Sequence, residues 1–174
     1  MLRTRPDLLA RLRDRARLAA MPEGSLARAY LAFVDAEGIT ADGLVDASLE
    51  GERRQPDADS DEAYVGRRMR DAHDLWHTVT GYKADLIGEV ALLSFSNAQI
   101  WNPGVSVVVG VGVLKIRKLR VARAITSARL QGMRAAWLPS APWEALLPLP
   151  LADVRARLRV RPARPYEELR SNEL

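Results

Sequence analysis

Two histidines, His73 and His77, are the whole imidazole content of the 174-residue chain, and they stand four positions apart. On a helix, residues at i and i+4 lie one turn apart on the same face, so both rings can reach a single cation. Asp74 stands between them, and Glu89 follows after eleven further residues. If the chain turns back after Gly81, the Glu89 carboxylate approaches the same cation and completes a mixed nitrogen and oxygen ligand set. This pattern favours a divalent metal site; the alternative is a partly exposed polar helix face in which Asp74 pairs with its neighbours.

The familiar catalytic motifs fit this pattern poorly. Zinc peptidases place a glutamate directly after the first histidine as general base, and this chain has Asp74 there. The absence of cysteine excludes thiolate zinc sites, iron–sulfur clusters and cysteine nucleophiles, and the absence of G-x-S-x-G excludes the serine nucleophile elbow. Gly110-Val111-Gly112 lacks the third glycine of a dinucleotide-binding loop, because Lys115 stands in its place. The residues alone therefore leave open a metal-dependent hydrolase of unknown substrate.

The histidine pair belongs to the best-defined predicted helix. Apolar residues recur there at the four-three-four-three spacing of one helical stripe, namely Val65, Met69, Ala72, Trp76 and Val79. Ser60 or Asp61 would cap this helix and Gly81 would end it. At about 100° per residue, the two histidines lie about 80° and 120° from the centre of the stripe, and Asp74 about 180°. We therefore expect the pair on the shoulder of the core.

The rest of the chain also indicates helices. The pattern predicts them over residues 1–21, 26–36, 85–102, 106–133 and 151–158, with an exposed connector over 39–60. The predicted fold is all-α, a single-domain helical bundle with a metal site between two consecutive helices. We divide it into an N-terminal amphipathic helix at 1–21, a helical domain at 22–165 and a C-terminal tail at 166–174. A chain of this length can bury a core without disulfides.

Charge and hydropathy limit the partners and the cellular compartment that we expect for this protein. The balance of 26 basic against 22 acidic residues is modest and the bases are not interleaved with aromatics, so no nucleic acid partner is expected. The longest apolar run, Val105 to Leu114, is about half the roughly 20 residues of a membrane-spanning helix. The N-terminus lacks the apolar region of a secretory signal. A bacterial cytoplasmic protein is the expected setting, and the run of bases from Lys115 to Arg134, which contains no acid, could dock on an anionic bilayer.

The motif H-D-x-x-H, eleven residues, then E resembles that of the coenzyme Q (ubiquinone) biosynthesis protein family that is fourth in the numbered series. Flanking segments agree with the same family: Gly24 to Tyr30, Asp61 to Val65, Leu75 to Tyr82, Leu86 to Glu89, Trp143-Glu144, and Val154-Arg155 with Leu158. The resemblance covers roughly residues 22–160, which is most of the chain.

The resemblance implies that His73, Asp74, His77 and Glu89 bind a divalent metal and form the catalytic site. Zinc is the usual assignment, and iron or another divalent ion stays open. The implied reaction is the metal-dependent decarboxylation and hydroxylation of the C1 carbon of a 4-hydroxy-3-methoxy-5-polyprenylbenzoate. Alternatively, the protein would be a non-catalytic lipid-binding scaffold for other ubiquinone biosynthesis enzymes. The implied partners are the polyprenylated acid, those enzymes and the inner face of the inner membrane, and a homodimer stays open.

Overall fold

The computed structural model describes residues 1–39, 59–116 and 119–169, and these residues form helices and no β-strand. Their ten α-helices are α1 (Leu8–Arg13), α2 (Arg15–Ala19), α3 (Leu26–Glu37), α4 (Asp61–Asp71), α5 (His73–Thr80), α6 (Leu86–Gln99), α7 (Pro103–Ile116), α8 (Leu119–Arg134), α9 (Trp143–Leu146) and α10 (Leu151–Leu158). A short 3₁₀ helix spans Leu138–Ser140. The all-α prediction is confirmed. The predicted connector at 39–60 lies almost entirely outside the described residues.

The N-terminal segment is two short helices where the sequence predicted one. Asp14 ends α1 and its side chain accepts a hydrogen bond from the Arg17 amide at 3.0 Å, so the same residue caps α2. Asp7 caps α1 in the same way. Aspartate side chains compete for backbone N–H groups in this manner, and for that reason the helix is interrupted.

Helix α3 begins and ends as the sequence predicted. The Ser25 hydroxyl accepts from the Arg28 amide at 3.3 Å, and Gly38 adopts a left-handed φ of 66° at the C-terminus. A left-handed residue there directs a backbone N–H onto a late carbonyl of the helix, and glycine adopts that φ without steric cost.

The predicted helix from Ser60 to Gly81 is divided at Ala72 into α4 and α5. Ser60 caps α4 through the Ala63 amide, as predicted. In α4, however, Tyr64 and Arg68 are buried while Val65 is only half-buried, so the core-facing side is shifted by one residue from the predicted stripe. Periodicity could not show this, because the shift depends on the distant partners of Tyr64 and Arg68.

The described residues form two compact units, one within 1–78 and 139–154 and the other within 79–138 and 155–169. In the first unit, the start of α3 is tied to the segment after α9, since the Leu26 and Ala27 amides donate to the carbonyls of Leu149 and Leu147. Helix α1 packs against α4 and α9 in the same unit. The domain boundaries that we placed at residues 21 and 165 stay predictions.

In the second unit, α6 packs against α7 and α8. The close approach of α8 depends on Gly132, because a Cβ there would lie 2.3 Å from the Phe95 carbonyl oxygen. The Gln99 amide nitrogen donates to Gly132 and Ala136 carbonyls near the end of α8. The single helix predicted over 106–133 is thus two helices, α7 and α8, each packed against α6.

Within the described ranges, every helix falls short of the length and apolar character needed to cross a bilayer.

Candidate metal centre

Helix α5, which carries both histidines, is buried on nearly all sides. From Asp74 to Thr80 every side chain is buried, with His77 1% and Asp74 3% exposed. The predicted position on the shoulder of the core is therefore wrong for His77, whereas the His73 side chain, 31% exposed, is half-buried as that prediction requires. Asp74, which was predicted to point away from the apolar stripe, is buried as well. The wheel argument assumed one buried face, whereas the side chains from Asp74 to Thr80 are buried on every face of this helix.

Aromatic contacts fix the orientation of the two imidazoles. The His77 ring stacks on Phe33 of α3, with ring centroids 5.3 Å apart and an interplanar angle of 15°. The His73 ring meets His77 edge-on, at 4.7 Å and 72°. Offset-stacked and edge-to-face pairs are the favoured geometries between aromatic rings. Phe33 is thus a site residue that spacing could not reveal, because it lies 44 positions before His77 in the chain.

The Asp74 carboxylate lies beside the His73 ring, with Oδ1 3.3 Å from Nδ1. The backbone carbonyl of Asp74 also accepts from the Thr78 hydroxyl at 2.8 Å, within α5. A carboxylate that accepts the Nδ1 proton sets the tautomer of the imidazole and leaves Nε2 for coordination, as is usual for histidine ligands. The contact suits a carboxylate that orients a histidine.

Glu89 lies in the first turn of α6, where the sequence placed it. Asp85 caps this helix by accepting from the Gly88 amide at 3.1 Å, as predicted. One ligand atom from each of His73, His77 and Glu89 lies within 4.8 Å of the others. The structure thus brings together three of the four predicted ligands, and Asp74 is outside this group.

The donor set fits a divalent metal. Two imidazoles and one carboxylate are the ligands of many catalytic zinc sites, which keep a further position for water or substrate. The same ligand set binds other first-row divalent metals, so the side chains alone do not identify the metal.

A second polar cluster, absent from the sequence predictions, joins α4 to α9. The Arg68 guanidinium, 3% exposed, makes two hydrogen bonds to the Glu144 carboxylate at 2.7 and 2.8 Å. Its Nη2 also donates to the Ala141 carbonyl at 3.2 Å. Burial alone would raise the pKa of Glu144, but the hydrogen bonds and charge of Arg68 outweigh it and hold this pKa below its usual value. The hydrogen bond to Glu144 raises the pKa of Arg68 in turn, so the pair stays ionised.

The second unit contains a cavity of about 1320 Å³. Its wall includes six arginines, Arg123, Arg134, Arg155, Arg159, Arg161 and Arg164, beside apolar side chains such as Ile87 and Val121. Ile87 and Glu89 stand two positions apart on α6, and residues at that spacing point to different faces of a helix. The Ile87 wall of the cavity therefore differs from the face that presents Glu89.

Fold and site together define an all-α protein with a candidate site for a divalent metal, built from two histidines and a glutamate on consecutive helices. The family model of the coenzyme Q (ubiquinone) biosynthesis protein Coq4 matches residues 1–164, and the chain belongs to this family. The resemblance inferred from the motif is confirmed at that level.

Curated relatives carry the same family name. A ubiquinone biosynthesis protein COQ4 from Pyricularia oryzae is 29% identical over 99% of this chain and 56% of its own length. The COQ4 homologue of Danio rerio is 31% identical over 70% of this chain and 42% of its own. The chain thus spans about half the length of the relatives it matches.

Among solved structures, a Nostoc punctiforme protein described as a candidate ubiquinone biosynthesis protein is similar to this chain. The TM-score is 0.61 at 20% identity, over 90% of this chain and 76% of that one, and this likeness supports the fold.

The predicted localisation is wrong by these comparisons. We expected a bacterial cytoplasmic protein at the inner face of the inner membrane. The relatives from Pyricularia oryzae, Danio rerio and Mus musculus are named as mitochondrial proteins, which conflicts with that setting. Composition and the N-terminal residues carried too little information to identify the compartment.

Proposed function

We propose that the protein is a metal-dependent enzyme of ubiquinone biosynthesis that acts on the C1 carbon of a polyprenylated hydroxybenzoate, removing the carboxylate and introducing a hydroxyl. The convergence of His73, His77 and Glu89 within 4.8 Å carries this proposal. Family membership favours ubiquinone biosynthesis over a general hydrolase.

The chain's own residues would prepare the site in three ways. Stacking on Phe33 holds the His77 ring in one orientation. By accepting a hydrogen bond from His73 Nδ1, the Asp74 carboxylate would leave Nε2 of that ring as the coordinating nitrogen. Burial of His77 and Asp74 excludes water, which strengthens electrostatic interactions with a bound anion.

A bound divalent ion would supply Lewis acidity toward the carboxylate or phenolate of the substrate. Exchange of a carboxylate for a hydroxyl is a net oxidation that releases carbon dioxide and takes up one oxygen atom, so an oxidant such as dioxygen must take part. Zinc has no redox chemistry of its own. Metal analysis therefore tests the reaction mechanism as well as the identity of the metal.

The test is metal analysis of the purified protein together with His77→Ala in a strain that lacks the corresponding biosynthetic step. We expect the wild-type protein to carry a divalent metal and restore ubiquinone, and His77→Ala to lose both. Thr78→Ala is the matched control, because it truncates the adjacent buried side chain and leaves the ligand set intact. A metal-free preparation that restores ubiquinone would refute the proposal.

The cavity of the second unit favours a second candidate function, a lipid-binding scaffold. Its arginines suit the acidic head of an amphipathic molecule, and its apolar wall suits a hydrocarbon chain. Arg159→Ala in the cavity wall, compared with the exposed Arg157→Ala on α10, tests it in a lipid-binding assay with a polyprenylated hydroxybenzoate. Weaker binding in Arg159→Ala alone, with normal ring modification by His77→Ala, would favour the scaffold over the enzyme.

Docking of the protein on a membrane surface is part of the proposal. Between Glu89 and Glu144 the sequence contains seven basic residues and no acidic one. Exposed apolar side chains lie in the same stretch, with Trp101 72% and Val107 65% exposed. Tryptophan at the water interface and bases near anionic lipids both stabilise peripheral binding. We also propose, from the family resemblance, association with other ubiquinone biosynthesis enzymes or with a second copy of the chain.

Cosedimentation with vesicles tests the membrane contact. We expect binding to vesicles that contain anionic phospholipid, reduced by Trp101→Ser and by high salt. The exposed Leu2→Ser, an apolar truncation in the first unit, is the control. Equal binding by both variants would place the contact elsewhere.

A further inference from the structure

The chain segment after α10, residues 161–169, lies against the turn that joins α5 to α6, and we call it the C-terminal strap. The Ala163 amide donates to the carbonyl of Thr80, the last residue of α5, at 2.7 Å. The amide of Leu86, the first residue of α6, donates to the Leu169 carbonyl at 3.0 Å. Helix ends leave such groups without intrahelical partners. The strap satisfies one group at each end of the turn.

Tyr166 contacts the turn through its hydroxyl. The hydroxyl donates to Asp85 Oδ1 at 2.7 Å and accepts from the Lys83 amide at 3.0 Å. Burial, together with the hydrogen bond to Asp85, raises the pKa of the Tyr166 phenol, so it keeps its proton and remains a donor. The Leu169 amide adds a third contact, to Asp85 Oδ2 at 2.9 Å.

Asp85 transmits this restraint to the first turn of α6. It is 5% exposed, and its two carboxylate oxygens also accept from the Gly88 and Ile87 amides at 3.1 and 3.3 Å. Its backbone carbonyl accepts from the Glu89 amide at 2.8 Å. The side chain that caps the helix is thus held by the strap on one side and holds the backbone around Glu89 on the other.

Packing gives the contact little freedom. A Cβ at Gly88 would lie 2.6 Å from the Tyr166 hydroxyl oxygen and 2.0 Å from the Lys83 carbonyl oxygen. Tyr166 and Leu169 also pack against the apolar cluster of Ile87, Val121 and Ile125. A displacement of the strap would therefore also shift the first turn of α6.

We propose that the C-terminal strap fixes the first turn of α6 and thereby the ligand Glu89, with Tyr166 as the principal positioning residue of the metal centre. The proposal rests on the proposed function, because it requires a metal at His73, His77 and Glu89. The family match ends at residue 164, so it does not extend to Tyr166 or Leu169.

The experiment compares Tyr166→Phe with Tyr64→Phe in the full chain. Each removes one hydroxyl that hydrogen-bonds in the structure; Tyr64 donates to the Pro6 carbonyl at 3.1 Å, in the first unit. Zinc affinity is measured by competition with a chelator, and the ligand field by the absorption spectrum of the cobalt-substituted protein. Stability to urea is measured on the metal-free protein. Leu169→Pro, which removes the amide donor to Asp85, is the second variant.

We expect Tyr166→Phe to weaken zinc binding about tenfold, the lower bound for loss of a residue that orients a ligand, and to shift the cobalt spectrum. Leu169→Pro should act in the same direction, and Tyr64→Phe should leave both measurements unchanged. Wild-type zinc affinity and cobalt spectrum in Tyr166→Phe and Leu169→Pro would overturn the positioning role, even if urea stability falls. Failure of the wild-type protein to bind any divalent metal is a separate result, which refutes the proposed function and the positioning role with it.

Discussion

Two buried polar clusters lie close together in the sequence and differ in how their charge is balanced. Arg68 on α4 carries a fixed cation whose donors already contact the Glu144 carboxylate and the Ala141 carbonyl. His73 and His77, within nine positions of Arg68, bring lone-pair donors toward the carboxylate of Glu89. In the first arrangement the charge of Arg68 is balanced by protein groups, whereas the second has the donor set of a metal site.

The difference shows how a structural charge is distinguished from a functional one. An arginine–carboxylate pair with two parallel hydrogen bonds stabilises the fold. A set of imidazoles and carboxylates that converge on one point has the chemistry of a ligand set. Burial alone does not separate the two, because Arg68 and His77 are both nearly inaccessible.

The largest expected effect comes from breaking the structural cluster. In Arg68→Met the Glu144 carboxylate, 20% exposed, loses its buried cation. We expect the free energy of unfolding in urea to fall by about 3 kcal/mol, the lower end of values for broken buried pairs, with zinc affinity of the folded protein unchanged. Arg15→Met, which breaks the exposed pair with Asp35, should cost less than about 1 kcal/mol. Similar losses of unfolding free energy in the two variants would show that the buried pair stabilises the protein no more than the exposed pair does.

The metal cluster should respond to an added ion. A ligand that binds only the folded state at a hundred times its dissociation constant raises the free energy of unfolding by about 2.7 kcal/mol. We expect thermal unfolding to shift upward with zinc in the wild-type protein and not in His77→Ala. Magnesium, which prefers oxygen ligands, is the control ion. An equal shift with magnesium would mean that the imidazoles are not the ligands.

Asp74 tests whether the carboxylate acts through His73. In Asp74→Asn the charge beside Nδ1 is lost while the side-chain volume is kept. We expect zinc affinity, measured by calorimetry, to fall about ten- to hundredfold, as for other groups that orient a histidine ligand. Asp35→Asn on α3 removes an exposed carboxylate and should leave the affinity unchanged. A far larger loss in Asp74→Asn would instead make Asp74 a direct ligand.

The smallest expected effect is the acid response of the structural cluster. Because the folded-state pKa of Glu144 is lowered, the pair stabilises the protein above the ordinary glutamate pKa, and this stability is lost as pH falls through the folded-state value. We expect the free energy of unfolding to decline more steeply below about pH 4.5 in the wild-type protein than in Glu144→Gln. Parallel declines would show that other carboxylates dominate acid unfolding.

Local spacing predicted much of this molecule. The helical stripe around Ala72 and Trp76, the caps at Ser60 and Asp85 and the spacing of the histidines all concern residues within a few turns of one another. Hydrogen bonds and side-chain periodicity at that range are properties of the chain itself. The all-α fold and the placement of both histidines on one helix followed from them.

Other features depended on contacts between distant parts of the chain. The shifted core face of α4 follows from Tyr64 and Arg68, whose partners are Pro6 and Glu144. The burial of Asp74 follows from the chain that encloses α5. No local pattern contains this information, because the wheel of a single helix says nothing about what packs on its other sides.

The sequence by itself determined the helices and the ligand types, including the four-residue spacing that puts both histidines on one face. Only the tertiary structure decided that Glu89 joins them, that Phe33 stacks on His77, and that Tyr166 contacts the cap at Asp85. The physical reason is the separation in sequence between the residues that interact. Helix formation and capping are set by neighbours in the chain, whereas the convergence of a site is set by packing between segments that are far apart in sequence.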